Sequence, residues 1–248
     1  MAKLIDKTAL VTGASRGIGR ATAISLASEG AHVFVHYGRG ESEAAAVVEH
    51  IRRAGGSAET VMADLGSSQG PHDLASRVRI LSGNRLDVVV CNAGVSLSRS
   101  IEDTNMEEFD RLFAVNVRAP FFIVQQLLPA LREGSSVVLI SSLVARSAVG
   151  TLPAYAATKG AIETMVKYFA AALGSRGVRV NAVAPGVVET DMSSFTKTPE
   201  GREVALGLQS LKRLAQPADI AAAVTFLATD DARWVTGDSQ HVDGGSKL

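Results

Sequence analysis

Thr8-Ala9-Leu10-Val11-Thr12-Gly13-Ala14-Ser15-Arg16-Gly17-Ile18-Gly19 is the stretch on which the reading of this chain turns. A short apolar run leads directly into three glycines within seven residues, and Ala-rich helical sequence follows from Gly17. The glycines therefore fall where a strand turns into a helix N-terminus, a place of free N–H groups and partial positive charge. Without Cβ atoms, the backbone there allows a pyrophosphate to come close. The spacing Gly-x3-Gly-x-Gly departs from the commonest dinucleotide fingerprint. The strand before it and the helix after it still make a dinucleotide site the expectation.

Working outward, β-branched runs alternate with longer helical stretches along all 248 residues. Strands are predicted near 8–12, 32–37, 58–62, 87–91, 136–141, 178–183 and 240–242, mostly as continuous apolar runs suited to burial on both faces. Helices are predicted over 17–29, 41–54, 71–81, 106–132, 153–173 and 217–228. The fourth is expected to open on a Thr104/Glu107 capping box and to bend or shorten at Pro120 and Pro129. This order predicts an α/β fold, one Rossmann domain over 1–248 with a doubly wound, seven-stranded parallel sheet and helices on both faces. Residues 189–216 carry the least regular pattern and are the candidate substrate lid.

Lysine plus arginine equals aspartate plus glutamate at 25 each, so no global field attracts nucleic acid or an anionic membrane. No apolar stretch approaches the roughly 20 residues of a membrane span, and the first residues lack the apolar core of a secretory signal. The single cysteine, Cys91, suits a reducing compartment. A cytoplasmic protein is expected, although Ser246-Lys247-Leu248 also matches a peroxisomal address. No metal site is expected.

Two further stretches extend the dinucleotide groove. Where the usual fingerprint has an acidic residue at the end of the second strand, this chain has Tyr37-Gly38-Arg39. A carboxylate there repels a 2′-phosphate, so its absence, with Arg16 and Arg39 nearby, favours NADP(H) over NAD(H). Arg39 as an ordinary solvated arginine is the competing reading. Glu41 and Glu43 are expected on the outer face of the next helix. Asp64-Leu65 follows the third strand, where the carboxylate is either an adenine acceptor or a turn cap. Asn92-Ala93-Gly94 follows the fourth, at the carboxyl edge where open α/β sheets bind ligands.

Tyr155 and Lys159 are spaced i, i+4 on one helical face. A free phenol with a pKa near 10 is too little ionised at neutral pH for efficient proton transfer, and a nearby ammonium is expected to lower that value. Ser142, at the end of the fifth strand, supplies a hydroxyl to hold the reacting oxygen, with Ser141 chemically equivalent at this level. Asn116 lies amid apolar helical residues as either a water-relay partner of Lys159 or a structural tether.

Taken together, Thr12-Gly13-Ala14-Ser15-Arg16-Gly17-Ile18-Gly19, Asn92-Ala93-Gly94, Asn116, Ser142, Tyr155-x3-Lys159, Pro185-Gly186-x3-Thr190 and Asp243-Gly244-Gly245 resemble the short-chain dehydrogenase/reductase family over essentially the whole chain. The resemblance implies a catalytic set of Asn116, Ser142, Tyr155 and Lys159, the thirteen-residue step to Tyr155 selecting Ser142. It implies NADP(H) contacts from Gly13, Ser15, Arg16, Gly17, Ile18, Gly19, Tyr37, Arg39, Asp64, Leu65, Asn92, Ala93 and Gly94. Tyr155, Lys159, Pro185, Gly186, Val188 and Thr190 complete that set. Cys91 stands where many members have Asn.

The overall texture is most similar to 3-oxoacyl-acyl-carrier-protein reductases, with Arg132 and Arg176 a thin carrier-docking patch weakened by Glu133. The reaction implied is reversible reduction of a ketone or 3-oxoacyl carbonyl to a secondary alcohol. A carrier-specific reductase and a non-catalytic NADP-binding sensor are the alternatives, and the x3 spacing argues against an enoyl reductase. Val95, Leu97, Leu143, Val144, Leu152, Val187, Val188, Met192 and Phe195 are the candidate lining of an apolar pocket. The helix from Pro153 stays apolar through Met165, Val166, Phe169 and Ala170, which predicts packing against a second copy and a homotetramer.

Overall fold

The computed structural model describes residues 2–247. Its centre is a sheet of β1 (Thr8–Val11), β2 (His32–Tyr37), β3 (Ser57–Met62), β4 (Val88–Cys91), β5 (Ser136–Ile140), β6 (Arg179–Pro185) and β7 (Ser239–Val242). The spatial order is β3-β2-β1-β4-β5-β6-β7, parallel at every pairing. Every residue of β4 and β5 is buried, as strands covered on both faces must be.

Alternation along β1 sends Leu10 into one core and Ala9 and Val11 into the other. The helices α1 (Gly17–Ser28), α2 (Glu41–Arg53) and α8 (Pro217–Ala228) close the Ala9 side through Leu26, Val47, Val224 and Leu227. On the Leu10 side lie α3 (Gly70–Leu81), α5 (Ala119–Leu127) and α6 (Pro153–Leu173), which contribute Leu74, Ile123, Leu127 and Val166. Val11 pairs with both Val35 and Val90, so β1, β2 and β4 end nearly level. The strand order reverses at β1, which opens a crevice at their carboxyl ends.

Element boundaries match the sequence expectation within about two residues except in the fourth helix, which is not continuous. It is divided into α4 (Met106–Phe113), a π-helical turn over Ala114–Arg118, and α5. Pro120 sits in the first turn of α5, where its missing N–H costs nothing. The predicted Thr104 cap is also displaced by one residue. Thr104 Oγ1 donates to the Ser100 carbonyl, and the Asn105 side chain instead accepts from Glu108 N at 2.9 Å.

Within 189–216 the chain forms a helix that the sequence reading left out, α7 (Pro199–Leu208), capped by Thr198 Oγ1 accepting from Gly201 N. The excursion closes on itself where Glu189 N donates to Ala215 O, beside a Val188–Ala215 bridge. On α6, Met165, Val166 and Ala170 are buried in the core. The surplus apolar face therefore shrinks to exposed Tyr168 and to Phe169, which packs against Phe121.

Candidate active site

The turn after β1 is knitted to the turn after β4. Asn92 Nδ2 donates to the carbonyls of Thr12 and Gly13 at 2.9 and 3.1 Å, and Thr12 Oγ1 accepts from the amides of Asn92 and Ala93. The approach is so close that a Cβ on Gly13 would lie 2.8 Å from Ala93 Cα, and Gly13 and Gly17 both have positive φ. A Cβ on Gly19 would collide with the Gly13 carbonyl oxygen and lie 2.5 Å from Asn92 Nδ2. Arg16 precedes α1 in extended conformation without capping it, and no acidic side chain occupies the first turn. The α1 N-terminus thus keeps its partial positive charge for an incoming anion.

His36, which the sequence reading passed over, holds this turn in place. Its Nδ1 accepts from Gly13 N at 3.0 Å while Nε2 donates to the Ala63 carbonyl at 3.1 Å. Those two roles require a neutral ring, and burial pushes its pKa down to about 4. The signal was the second histidine of His32–Tyr37, set directly after the apolar Val33–Val35, a position that reads as core.

Around the groove the proposed contacts divide. Arg39 is exposed and has no ion-pair partner among the described residues. Ser15 Oγ approaches Gly40, just beyond Arg39. Glu43 is exposed as expected, but its carboxylate returns over Gly40 and feels the Arg16 charge, alongside stronger hydrogen bonds from its own backbone and Ser42. Asp64 Oδ1 accepts from Gly66 N at 2.9 Å, which is the turn-cap reading, and Asp64 remains exposed. Leu65 is buried in the core. Tyr37 ends β2, Val188 is buried, and Thr190 lies over Gly17. Arg16 reaches Asp191 across the groove mouth at 3.6 Å.

At the end of β5 the two serines separate. Ser141 Oγ turns to α6 and donates to Glu163 Oε1 at 3.0 Å. Ser142 Oγ accepts from Val144 N at 3.4 Å and lies close enough to Tyr155 to favour its phenolate. Lys159 Nζ lies 5.5 Å from the Tyr155 ring centroid and donates to the Ile140 carbonyl at 2.8 Å. Burial depresses the lysine to about 8 and pushes the phenol up to about 12, with the neighbouring Ser142 pulling the other way. This runs against the expected acidification of the phenol, because burial disfavours the phenolate and Lys159 is not among the groups that lower it. At rest Tyr155 carries its proton.

Asn116, within the π turn, serves as the tether. It exchanges two hydrogen bonds with Val95, through Oδ1 at 2.9 Å and Nδ2 at 2.8 Å, and Nδ2 also donates to Thr158 Oγ1 at 3.1 Å. A Cβ on Gly94 would lie 3.3 Å from Asn116 Oδ1 and 3.8 Å from Lys159 Nζ, so Gly94 leaves both groups room. Of the expected pocket lining, Leu143 and Val188 are core residues, while Met192 and Phe195 are half exposed on the 189–216 excursion. Val95, Leu97, Val144, Leu152 and Val187 are half-buried.

The carrier-docking patch is not assembled beside this site. Arg176 donates to the carbonyls of Leu128 and Leu131. Arg132 and Arg176 precede β5 and β6, at the rim of the sheet opposite Ser142. No group of metal ligands is found among the described residues, and no helix is long and apolar enough to cross a membrane.

A glycine-lined helix start beside half-buried Ser142 and Tyr155 and buried Lys159, on a seven-stranded parallel sheet, defines an oxidoreductase of the Rossmann class. The family described as enoyl-(acyl carrier protein) reductase matches residues 13–247. The chain belongs to this family, within the short-chain dehydrogenases/reductases. Versicolorin reductase 1 of Aspergillus parasiticus is 39% identical, covering 98% of this chain and 97% of that protein. Hydroxynaphthalene reductase-like protein Arp2 of Metarhizium majus is 39% identical over 98% and 96%. The angucycline C-6 ketoreductase LanV, crystallised with bound NADP, superposes with a TM-score of 0.94 at 43% identity, covering 98% of this chain and 96% of that one.

Proposed function

We propose that this chain is an NADP(H)-dependent ketoreductase that reversibly reduces an apolar, fused-ring ketone to a secondary alcohol. The reading rests on one observation, the Ser142–Tyr155–Lys159 constellation beside the glycine-lined start of α1. Three lines support the cofactor: space that Cβ atoms at Gly13 and Gly19 would fill, the uncapped α1 N-terminus, and Arg16 with Arg39 where an NAD-type site has a carboxylate. LanV, with its bound NADP, points the same way. When bound, NADPH supplies the hydride.

The residues divide the remaining work. The α1 N-terminus with Ser15, Arg16, Gly17 and Ile18 receives the phosphates. Asn92, Ala93, Gly94, Pro185, Gly186, Val188 and Thr190 line the nicotinamide half, and Tyr37, Asp64 and Leu65 the adenosine half. Ser142 and Tyr155 donate hydrogen bonds to the substrate carbonyl, polarising it. Tyr155 then gives its proton to the nascent alkoxide, a direction suited to a phenol protonated at rest. Lys159 holds the cofactor ribose and limits the energetic cost of the phenolate left behind. Asn116 keeps Val95 and the π turn in register, with a water relay to Lys159 as its second task.

The half-buried apolar wall and the likeness to versicolorin and hydroxynaphthalene reductases favour a fused-ring ketone over a carrier-bound 3-oxoacyl group, whose docking patch lies at the wrong rim. The x3 spacing of Tyr155 and Lys159 favours carbonyl over C=C reduction. We further propose a cytoplasmic homotetramer using the exposed surface around Tyr168, with residues 189–216 as the substrate lid. Ser246 is folded into the domain, which disfavours a peroxisomal address, and Leu248 lies outside the described residues. NADPH oxidation with a panel of naphthol-type ketones, simple ketones and acetoacetyl thioesters tests the reading. Tyr155→Phe is expected to bind NADPH normally while turnover falls by at least a thousandfold. Unchanged turnover removes Tyr155 from the mechanism, and oxidation with none of the ketones leaves the sensor.

A further inference from the structure

The chain leaves β5 at Ser142 and returns only at α6, and what holds this span determines where the Ser142 hydroxyl sits. Near its start are short turn bonds from Ala145 N to Ser142 O and from Arg146 N and Ser147 N to Leu143 O. At its far end Thr151 is bonded to Arg99 N and Ser98 Oγ. Leu143 packs in the core, and beyond it one polar side chain ties the span to the rest of the domain. Arg146 Nη2 donates to Asp243 Oδ2 at 2.6 Å and to the Ser246 carbonyl at 3.0 Å.

Asp243 is almost fully buried, and its other oxygen accepts from the amides of Gly245 and Ser246. Burial alone would raise this carboxyl, but those bonds and Arg146 hold it below the usual range. The turn it builds touches two other walls of the site. A Cβ on Gly186 would lie 2.9 Å from Asp243 Cα, and Gly186 N donates to Val242 O. Gly244 O accepts from Ser210 N and Leu211 N, and Lys247 N donates to Leu208 O, which seats the far end of the 189–216 excursion.

We propose that Arg146 is a positioning residue that locks the Ser142 span to the turn seating Pro185–Gly186 and the excursion, so that three walls of the site move as one body. This rests on the ketoreductase reading for its catalytic consequence, but the tether itself is a separate claim. A nitrogen shared between a buried carboxylate and a carbonyl has the strength to hold a ten-residue span. Misplacing a reacting group by about 1 Å costs on the order of a hundredfold in rate.

The test compares full-length Arg146→Met, Arg146→Lys and Asp243→Asn with wild type. In cofactor-free protein, amide exchange at residues 145–147 is expected to rise at least tenfold in R146M and D243N and to return near wild type in R146K. With a ketone that the wild type reduces, kcat/KM in R146M is expected to fall roughly 10- to 100-fold. The dissociation constant for NADPH, read by fluorescence well below the melting temperature, stays within twofold, and R146K recovers most of the loss. Unchanged exchange in R146M overturns the tether. Turnover within twofold of wild type, or a loss that R146K does not rescue, overturns the positioning role. A wild type that reduces no ketone refutes the ketoreductase reading instead, and the exchange arm still decides the tether.

Discussion

His36→Asn tests whether the buried imidazole pins the glycine turn through its neutral form. In the folded protein its pKa falls from 6.5 to about 4, which corresponds to about 3 kcal/mol in total. The unfolded chain binds a proton at 6.5 and the folded one does not until about 4. Stability is therefore fully present above 6.5 and is lost as pH falls through that window. Integrated between pH 7 and pH 5, His36 accounts for about 2 kcal/mol.

Asn retains an acceptor for Gly13 N but does not reach Ala63 O, so H36N should be less stable at pH 7 by about 1 to 2 kcal/mol. Urea unfolding of both proteins at pH 7, 6 and 5 provides the comparison. Groups common to the two cancel, so the wild-type curve should fall more steeply and the gap should close near pH 5. Parallel curves would show that His36 is already charged or solvated, and the account of the glycine turn would fail.

Lys159→Met removes an ammonium depressed from 10.5 to about 8 by burial, a cost of about 3 kcal/mol at pH 7 set against one lost bond of about 1 kcal/mol to Ile140. Cofactor-free K159M should unfold at higher urea than wild type while losing turnover, and it should lack the wild-type gain in stability between pH 8 and 10.5. Gly19→Ala, whose Cβ meets Gly13 O and Asn92 Nδ2, should weaken NADPH binding at least tenfold by calorimetry without emptying the substrate pocket of its preference among ketones. Glu43→Gln removes a carboxylate that feels Arg16. It should tighten NADPH a few-fold at low salt and leave NADH unchanged, and an equal effect on both would remove the 2′-phosphate from that corner.

The sheet was legible because strands buried on both faces write continuous apolar runs, as Val88–Cys91 and Ser136–Ile140 do. The glycine turn and Tyr155–Lys159 were legible because each is local, fixed by a spacing of a few residues. What escaped depends on partners far along the chain. His36 acts through Gly13 and Ala63, Arg146 through Asp243, and Arg176 through the carbonyls of Leu128 and Leu131. The expected acidification of Tyr155 left out a related effect, since i, i+4 spacing reports proximity and says nothing of the desolvation that pushes the phenol up. The helix at Pro199 was missed although Thr198-Pro199-Glu200 is a good start signal, because its apolar residues do not keep a helical period.

The π turn over Ala114–Arg118 holds one more residue than an α-helical turn of the same height. Its surplus residue is taken up between α4 and α5, where Asn116 faces Val95 and Thr158. Excising Val115 would convert the stretch into an ordinary helix, keeping α4 and α5 in phase while turning Asn116 away from Val95 and Thr158. Circular dichroism would then register a sound helix in a protein whose Val95 loop had come adrift, a case in which better regular structure makes a poorer catalyst.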